Sequence, residues 1–183
     1  MKKIILIGLL LSTPLMAEEK KEFVIQKASE KVGVAGYYLG DVIPSAMLKT
    51  RYVKTDDHNE FLVPIHSFSG YTGLRIDTTP NTNKIYSIIL EKDRVVCSKE
   101  AKRTADILSS NFKKPYKTSI SENYDSYTFD YPNKRVFVSC FAYGYNNKLY
   151  FFDDKLIEQS KQEGIANVKK RDDYWNSLTN IKK

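Results

Sequence analysis

One long amphipathic run set among short alternating ones constrains this chain most. From about residue 94 to 112, Cys97, Ala101, Ala105, Leu108 and Phe112 recur at steps of four, four, three and four, the spacing of a single helical face. Lys99, Lys102, Arg103 and Asp106 fall mainly on other faces, Asp93 offers an N-cap carboxylate, and Pro115 closes the segment. A helix with one apolar stripe needs a second layer to bury it, and the runs around it supply one.

Residues 52–53, 61–66, 74–77 and 85–91 read as successive short strands, with the Pro- and Asn-rich stretch 78–83 as their clearest turn. After the helix, residues 126–131 and 135–141 form a second pair around Pro132, Asn133 and Lys134, and Asn146-Asn147 marks a turn into a strand over 148–152. Residues 34–39 predict a further strand, broken by Gly40 and Asp41 before a short helix from Pro44 to Leu48. Asp153 or Asp154 caps a last helix to about Glu163, with Leu156, Ile157 and Ser160 inward; Gly164 weakens it before it resumes towards Leu178. The expected fold class is α+β: a mainly antiparallel meandering sheet of six to eight strands, packed by one long central helix and a C-terminal helix. No internal sequence repeat is present.

The first residues have the composition of an export signal: Lys2 and Lys3, an apolar run from Ile4 to Leu11, then Pro14 and small Ala17 before the polar segment from Glu18. The apolar core falls far short of the roughly 20 residues a spanning helix requires, and no cysteine follows it to take a lipid. The reading is a signal peptide at 1–17, a mobile lead-in at 18–31, one domain at 32–168 and a basic C-terminal tail at 169–183. It implies a periplasmic or secreted protein with no stable membrane anchor.

Charge narrows the partners. The net charge of +7 includes Lys2 and Lys3, so cleavage leaves 27 basic against 22 acidic residues. The tail from Lys169 holds five of the basic and two of the acidic ones, leaving 22 against 20 in the body. A nearly neutral body argues against nucleic acid, which selects a folded face of concentrated positive charge.

Cys97 and Cys140 are the two cysteines. An even count in an exported chain predicts that they are bonded to each other, and no C-x-x-C spacing or neighbouring His favours a metal or a reactive thiol. Cys140 alternates with Val136 and Val138 on one strand face, so the bond would tie the long helix to the sheet.

Machinery for chemistry is thin. The two histidines are His58, within Asp56-Asp57-His58-Asn59-Glu60, and His66, beside Ser67 and Ser69. The first cluster has metal-type side chains in the composition of an exposed turn, and the second has a His–Ser pairing that adjacent sequence seldom shapes into a relay. Asp77, Asn81 and Asn83 resemble oxygen ligands without the glycine and terminal glutamate of a calcium loop. No phosphate loop, dinucleotide fingerprint or haem motif occurs, so neither catalytic, metal-binding nor cofactor-binding residues are expected.

The notable excess is 13 tyrosines. Tyr37 and Tyr38, then Tyr124, Tyr127 and Tyr131, then Tyr143, Tyr145 and Tyr150 cluster near strand ends, where amphipathic rings suit protein or sugar recognition unless they simply cover a small sheet. The expectation is an exported, non-enzymatic binding or accessory protein of the envelope whose partner is a protein or a cell-wall glycan. The competing expectation is a small envelope hydrolase using His58 or His66.

Overall fold

Six apolar side chains, Phe61, Ile76, Ile88, Phe151, Val136 and Phe129, line up as direct neighbours on six strands, and every one is completely buried. A computed structural model of the chain describes residues 24–26, 31–65, 70–92, 97–122, 124–141 and 146–180. That row runs through the centre of an eight-stranded antiparallel sheet. In chain order the strands are β1 (Val24–Gln26), β2 (Lys31–Val34), β3 (Tyr37–Tyr38), β4 (Val53–Lys54), β5 (Asn59–Val63), β6 (Gly73–Thr78), β7 (Ile85–Lys92), β8 (Lys117–Ser121), β9 (Tyr124–Tyr131), β10 (Lys134–Phe141) and β11 (Asn146–Asp153). Helix α1 (Cys97–Phe112) follows β7 and α2 (Asp154–Asn180) follows β11.

The spatial order is β4-β5-β6-β7-β11-β10-β9-β8. Two four-stranded meanders therefore meet at a seam between β7 and β11. After β7 the chain travels through α1 to the far edge, starts again at β8 and works back to the seam. Four strands and a helix occur twice in succession, a repetition of element order with no counterpart in residue identity.

Register sorts the side chains onto two faces. A second row, Leu74, Leu90, Leu149, Val138 and Tyr127, flanks the first on the same face. Helix α1 packs there against β9, β10 and β11 through Ala101, Ala105 and Leu108, all fully buried, with Phe112 edge-on to Phe129 at 5.4 Å. The other half of this face is closed by Val32, Val34, Leu39 and Ile43 from the small β1-β2-β3 sheet and the stretch after it, which belong to the same core. The α+β architecture expected from the sequence is present, with eight strands in the main sheet and both helices packed on it.

Several local expectations are revised. The expected strand over 34–39 is split, because Ala35 and Gly36 adopt φ of 54° and 84° and turn β2 back into β3. A short 3-10 helix spans Ser45–Thr50 behind Pro44. Asn147 is the second residue of β11, buried opposite Cys140, so this asparagine pair does not form the expected turn. Strand β8 was not foreseen: all five of its residues are exposed, so it has no buried face to imprint alternation.

Helix α2 passes through Gly164 without a break. Asp153 caps it, its Oδ1 accepting from the Leu156 amide at 3.0 Å. Its 27 residues correspond to about 40 Å, and beyond Val168 every residue through Leu178 is exposed, including Tyr174 and Trp175 in mutual contact at 5.9 Å. The expected helix stop is absent because Gly164 serves packing here: a Cβ on it would lie 2.7 Å from Cβ and 2.9 Å from Cα of Asp57.

Candidate functional site: the open face of the sheet

The side chains alternating with the core rows point to the opposite face. One row reads Leu62, Arg75, Ile89, Tyr150, Phe137, Thr128 and Lys117, and a second reads Glu60, Asp77, Ser87, Phe152, Arg135 and Asp130. Among the described elements only α2 lies on this side, and it stays at the end where β7 begins.

The most apolar part of this face is an aromatic cluster. Phe137 on β10 stacks on its cross-strand neighbour Tyr150 on β11, with centroids 4.3 Å apart and planes 14° off parallel. Phe152 joins both at 5.6 Å, and the Arg135 guanidinium sits 6.0 Å above the Phe152 ring. Further along β10, Phe141 meets Tyr124 at 4.8 Å and is 46% exposed. Such ring pairs contribute about 0.5–1.5 kcal/mol each beyond burial. Their rim is charged: Lys148 Nζ donates to Glu91 Oε1 at 2.6 Å across the seam, and Arg135 grips the Asp154 carboxylate through Nε and Nη2.

At the α2 end the face turns polar. Asp77 is 93% buried by its 7% exposure, 3.4 Å from Arg75 Nε, while Arg75 lies 3.9 Å from Glu60. Burial pushes the Asp77 carboxyl up, against the pull of the Arg75 guanidinium. Tyr86 is held above the ordinary phenol range by burial and by the carboxylates of Asp77 and Asp57.

The histidine cluster that prompted the hydrolase reading does other work. His58 Nδ1 lies 2.9 Å from both Thr55 Oγ1 and Asp57 Oδ1, and the Thr55 hydroxyl donates to Asp57 at 2.5 Å. A relay needs the hydroxyl on one ring nitrogen and the carboxylate on the other; here both converge on Nδ1. The Thr55 amide bonds the His58 carbonyl, and the Thr55 oxygen accepts from the His58 amide, so the group closes the β4–β5 turn. The hydrogen bond to Thr55 is the main reason the Asp57 carboxyl sits below its usual range.

That turn is one jaw of a cradle for α2. Ser160 donates to the Asp57 carbonyl, Asn167 Nδ2 to the Asp56 carbonyl at 2.9 Å, and Arg171 pairs with Asp56. The other jaw is the β6–β7 turn, where the Asn81 amide donates to Glu163 Oε2 at 2.9 Å. Asn83, at φ 53°, accepts from Asn59 Nδ2 at 3.1 Å. Asp77, Asn81 and Asn83 are thus divided among the polar end of the open face, the α2 contact and the turn itself, and do not converge. Among the described residues no three His, Cys, Asp or Glu side chains converge to hold a metal.

His66 lies outside the described residues, as do Tyr143 and Tyr145 and the stretch 1–23, on which the expected signal peptide falls. Cys140 is 3% exposed on the α1 face, and no described cysteine is free. Cys97 opens α1, but its side chain is outside the described residues. Of the other tyrosines, Tyr127 is buried on the α1 face, whereas Tyr124 and Tyr150 stand half-buried on the open face. Phe137, Phe152 and Phe141 were not singled out from sequence as binding residues. For Phe137 and Phe141 the signal was their alternation with Val136, Val138 and Cys140 on β10; Phe152 lies on β11. Among the described residues no helix is long and apolar enough to cross a membrane. No protein-family model, curated protein or solved structure matches the chain.

Proposed function

We propose that the chain is an exported, non-enzymatic binding protein of the envelope or the extracellular space, and that it holds a protein partner on the open face of its sheet. The observation that carries this reading is the aromatic cluster of Phe137, Tyr150, Phe152, Tyr124 and Phe141 on a face that, among the described elements, α2 alone packs against and at one end. Ring orientation favours a protein over a glycan. Sugars stack on ring faces turned to solvent, whereas Phe137 and Tyr150 each turn one face to the other and Phe152 packs against both. What remains is an apolar ridge with Arg and Lys at its rim, the composition of a protein interface centre.

The test compares wild-type protein with Phe141→Glu, a change at a half-exposed ring that leaves the core rows alone. Each is immobilised and offered an envelope extract and, separately, purified cell-wall glycan. A protein retained by wild type and lost from the variant supports the reading. Glycan retained by wild type and lost from the variant replaces the partner class, and equal retention by both proteins removes this face from the function.

A further inference from the structure

The sheet has two edges, and they are built differently. The β4 edge is two residues long and lies near the α2 cradle. The β8 edge is five residues long, exposed at every position, and last in the strand order. Natural sheets blunt such edges with proline, bulges or lysine, because a row of unpaired amides and carbonyls templates another strand. Strand β8 contains no proline, and its register with β9 is regular from Lys117↔Thr128 to Ser121↔Tyr124. Its one lysine, Lys117, is neutralised by Asp130 at 2.7 Å.

Beside this edge, on the α1 face, runs an open groove whose lining includes Lys99, Lys102, Arg103, Asp106, Ile107 and Tyr127. Register puts Thr118 on that face as the direct neighbour of Tyr127, and Ile120, 69% exposed, follows two residues on. Tyr116, just before β8, donates to Asp106 Oδ1 at 2.7 Å and ties the start of the strand to the helix. The lining carries three cations against one carboxylate. Asp106 is taken by Lys102 at 2.8 Å, and Arg103 reaches Glu100 at 3.8 Å; Lys99 has no ion-pair partner among the described residues.

We infer that β8 receives an extended acidic segment of a protein partner, which adds a ninth strand to the sheet and sends alternate side chains into the groove beside α1. Backbone pairing supplies affinity without regard to sequence, and the groove reads every second residue: apolar against Ile107, Tyr127 and Ile120, acidic against Lys99 and Arg103. The inference deepens the partner-binding reading and rests on it, but it concerns a different surface from the aromatic cluster.

The experiment uses the full chain and a labelled peptide alternating valine and glutamate, followed by fluorescence anisotropy and by amide hydrogen exchange. Binding with slowed exchange in β8 is expected. The same peptide N-methylated at alternate positions, which keeps its charge but loses its backbone donors, should bind at least about tenfold more weakly, as should the unmodified peptide to Lys99→Glu. Equal binding of methylated and unmodified peptides overturns strand addition, and equal binding of a valine–lysine peptide overturns the acidic preference. Exchange slowed in β10 and β11 but not β8 overturns this inference while leaving the open-face reading standing. A concentration-dependent dimer that protects β8 without peptide makes the occupant a second copy of this chain and overturns the acidic partner.

Discussion

Replacing Gly164 by alanine should destabilise this protein, the reverse of what helix propensity predicts. In a free helix interior the change stabilises by about 1 kcal/mol. Here the new methyl would sit 2.7 Å and 2.9 Å from Cβ and Cα of Asp57 and 3.4 Å from the Asp56 carbonyl oxygen. Ordinary carbon contacts lie at roughly 3.5–4.0 Å, so α2 must lift by up to about 1 Å or the β4–β5 turn must give way. Overpacking of this kind costs about 1–3 kcal/mol. Lifting also stretches the Ser160 and Asn167 hydrogen bonds to the turn carbonyls, worth about 1 kcal/mol each. The helix gain offsets only part of this, leaving a net loss of about 1–3 kcal/mol, or a fall in Tm of roughly 3–9 °C for a domain of this size. Thermal unfolding followed by far-UV circular dichroism measures it. Ala166→Gly, two residues on and exposed, serves as the reference and should cost about 1 kcal/mol from propensity alone. If Gly164→Ala instead raises Tm, α2 is not seated on Asp57 and the cradle is wrong.

Four further outcomes follow. Cys97 and Cys140, which we propose are bonded, should resist alkylation in unfolded protein until reductant is added, and Cys140→Ser should cost on the order of 4 kcal/mol by loop entropy; alkylation of both thiols without reductant would sink the pairing. Because burial raises the Asp77 carboxyl in the folded state, its contribution is present in acid and lost as pH rises through the folded value, so Asp77→Asn should raise Tm relative to wild type more at pH 7 than at pH 3; a constant difference would mean the carboxylate is not penalised. Limited trypsin digestion should cut first after Lys169, Lys170 or Arg171 and cost the body no more than the exposed Arg171–Asp56 pair, about 1 kcal/mol or less, whereas a first cut inside the sheet would contradict the exposed end of α2. Phe137→Ala should destabilise by roughly 3 kcal/mol from lost burial and stacking, and a change within 0.5 kcal/mol in denaturant unfolding would show that the cluster is not packed.

The layered architecture could be read from the residues wherever one face is buried and the other is not. Ala101, Ala105 and Leu108 marked the inner stripe of α1, and Val136, Val138 and Cys140 marked the inner face of β10, because burial selects apolar side chains at those periods. The same logic hid β8, whose Lys-Thr-Ser-Ile-Ser composition carries no period because neither face is buried. It also misjudged Gly164, since local propensity cannot show that a turn some hundred residues earlier in the chain will lie against the helix. The site was only half visible. The tyrosine excess pointed to amphipathic rings, but whether Tyr127 or Tyr150 faces outward depends on register with β10, which only the assembled sheet decides.

The seam between β7 and β11 sets a timing problem for the growing chain. Residues 87–92 of β7 wait for residues 147–152 of β11, so from the moment the first meander closes, the Ile-Tyr-Ser-Ile-Ile-Leu edge of β7 stands bare until almost all of the body has been synthesised. A long-lived hydrophobic border of that kind is where nascent molecules stick to one another, so yield should depend on chaperone supply and on keeping the second meander close behind the first.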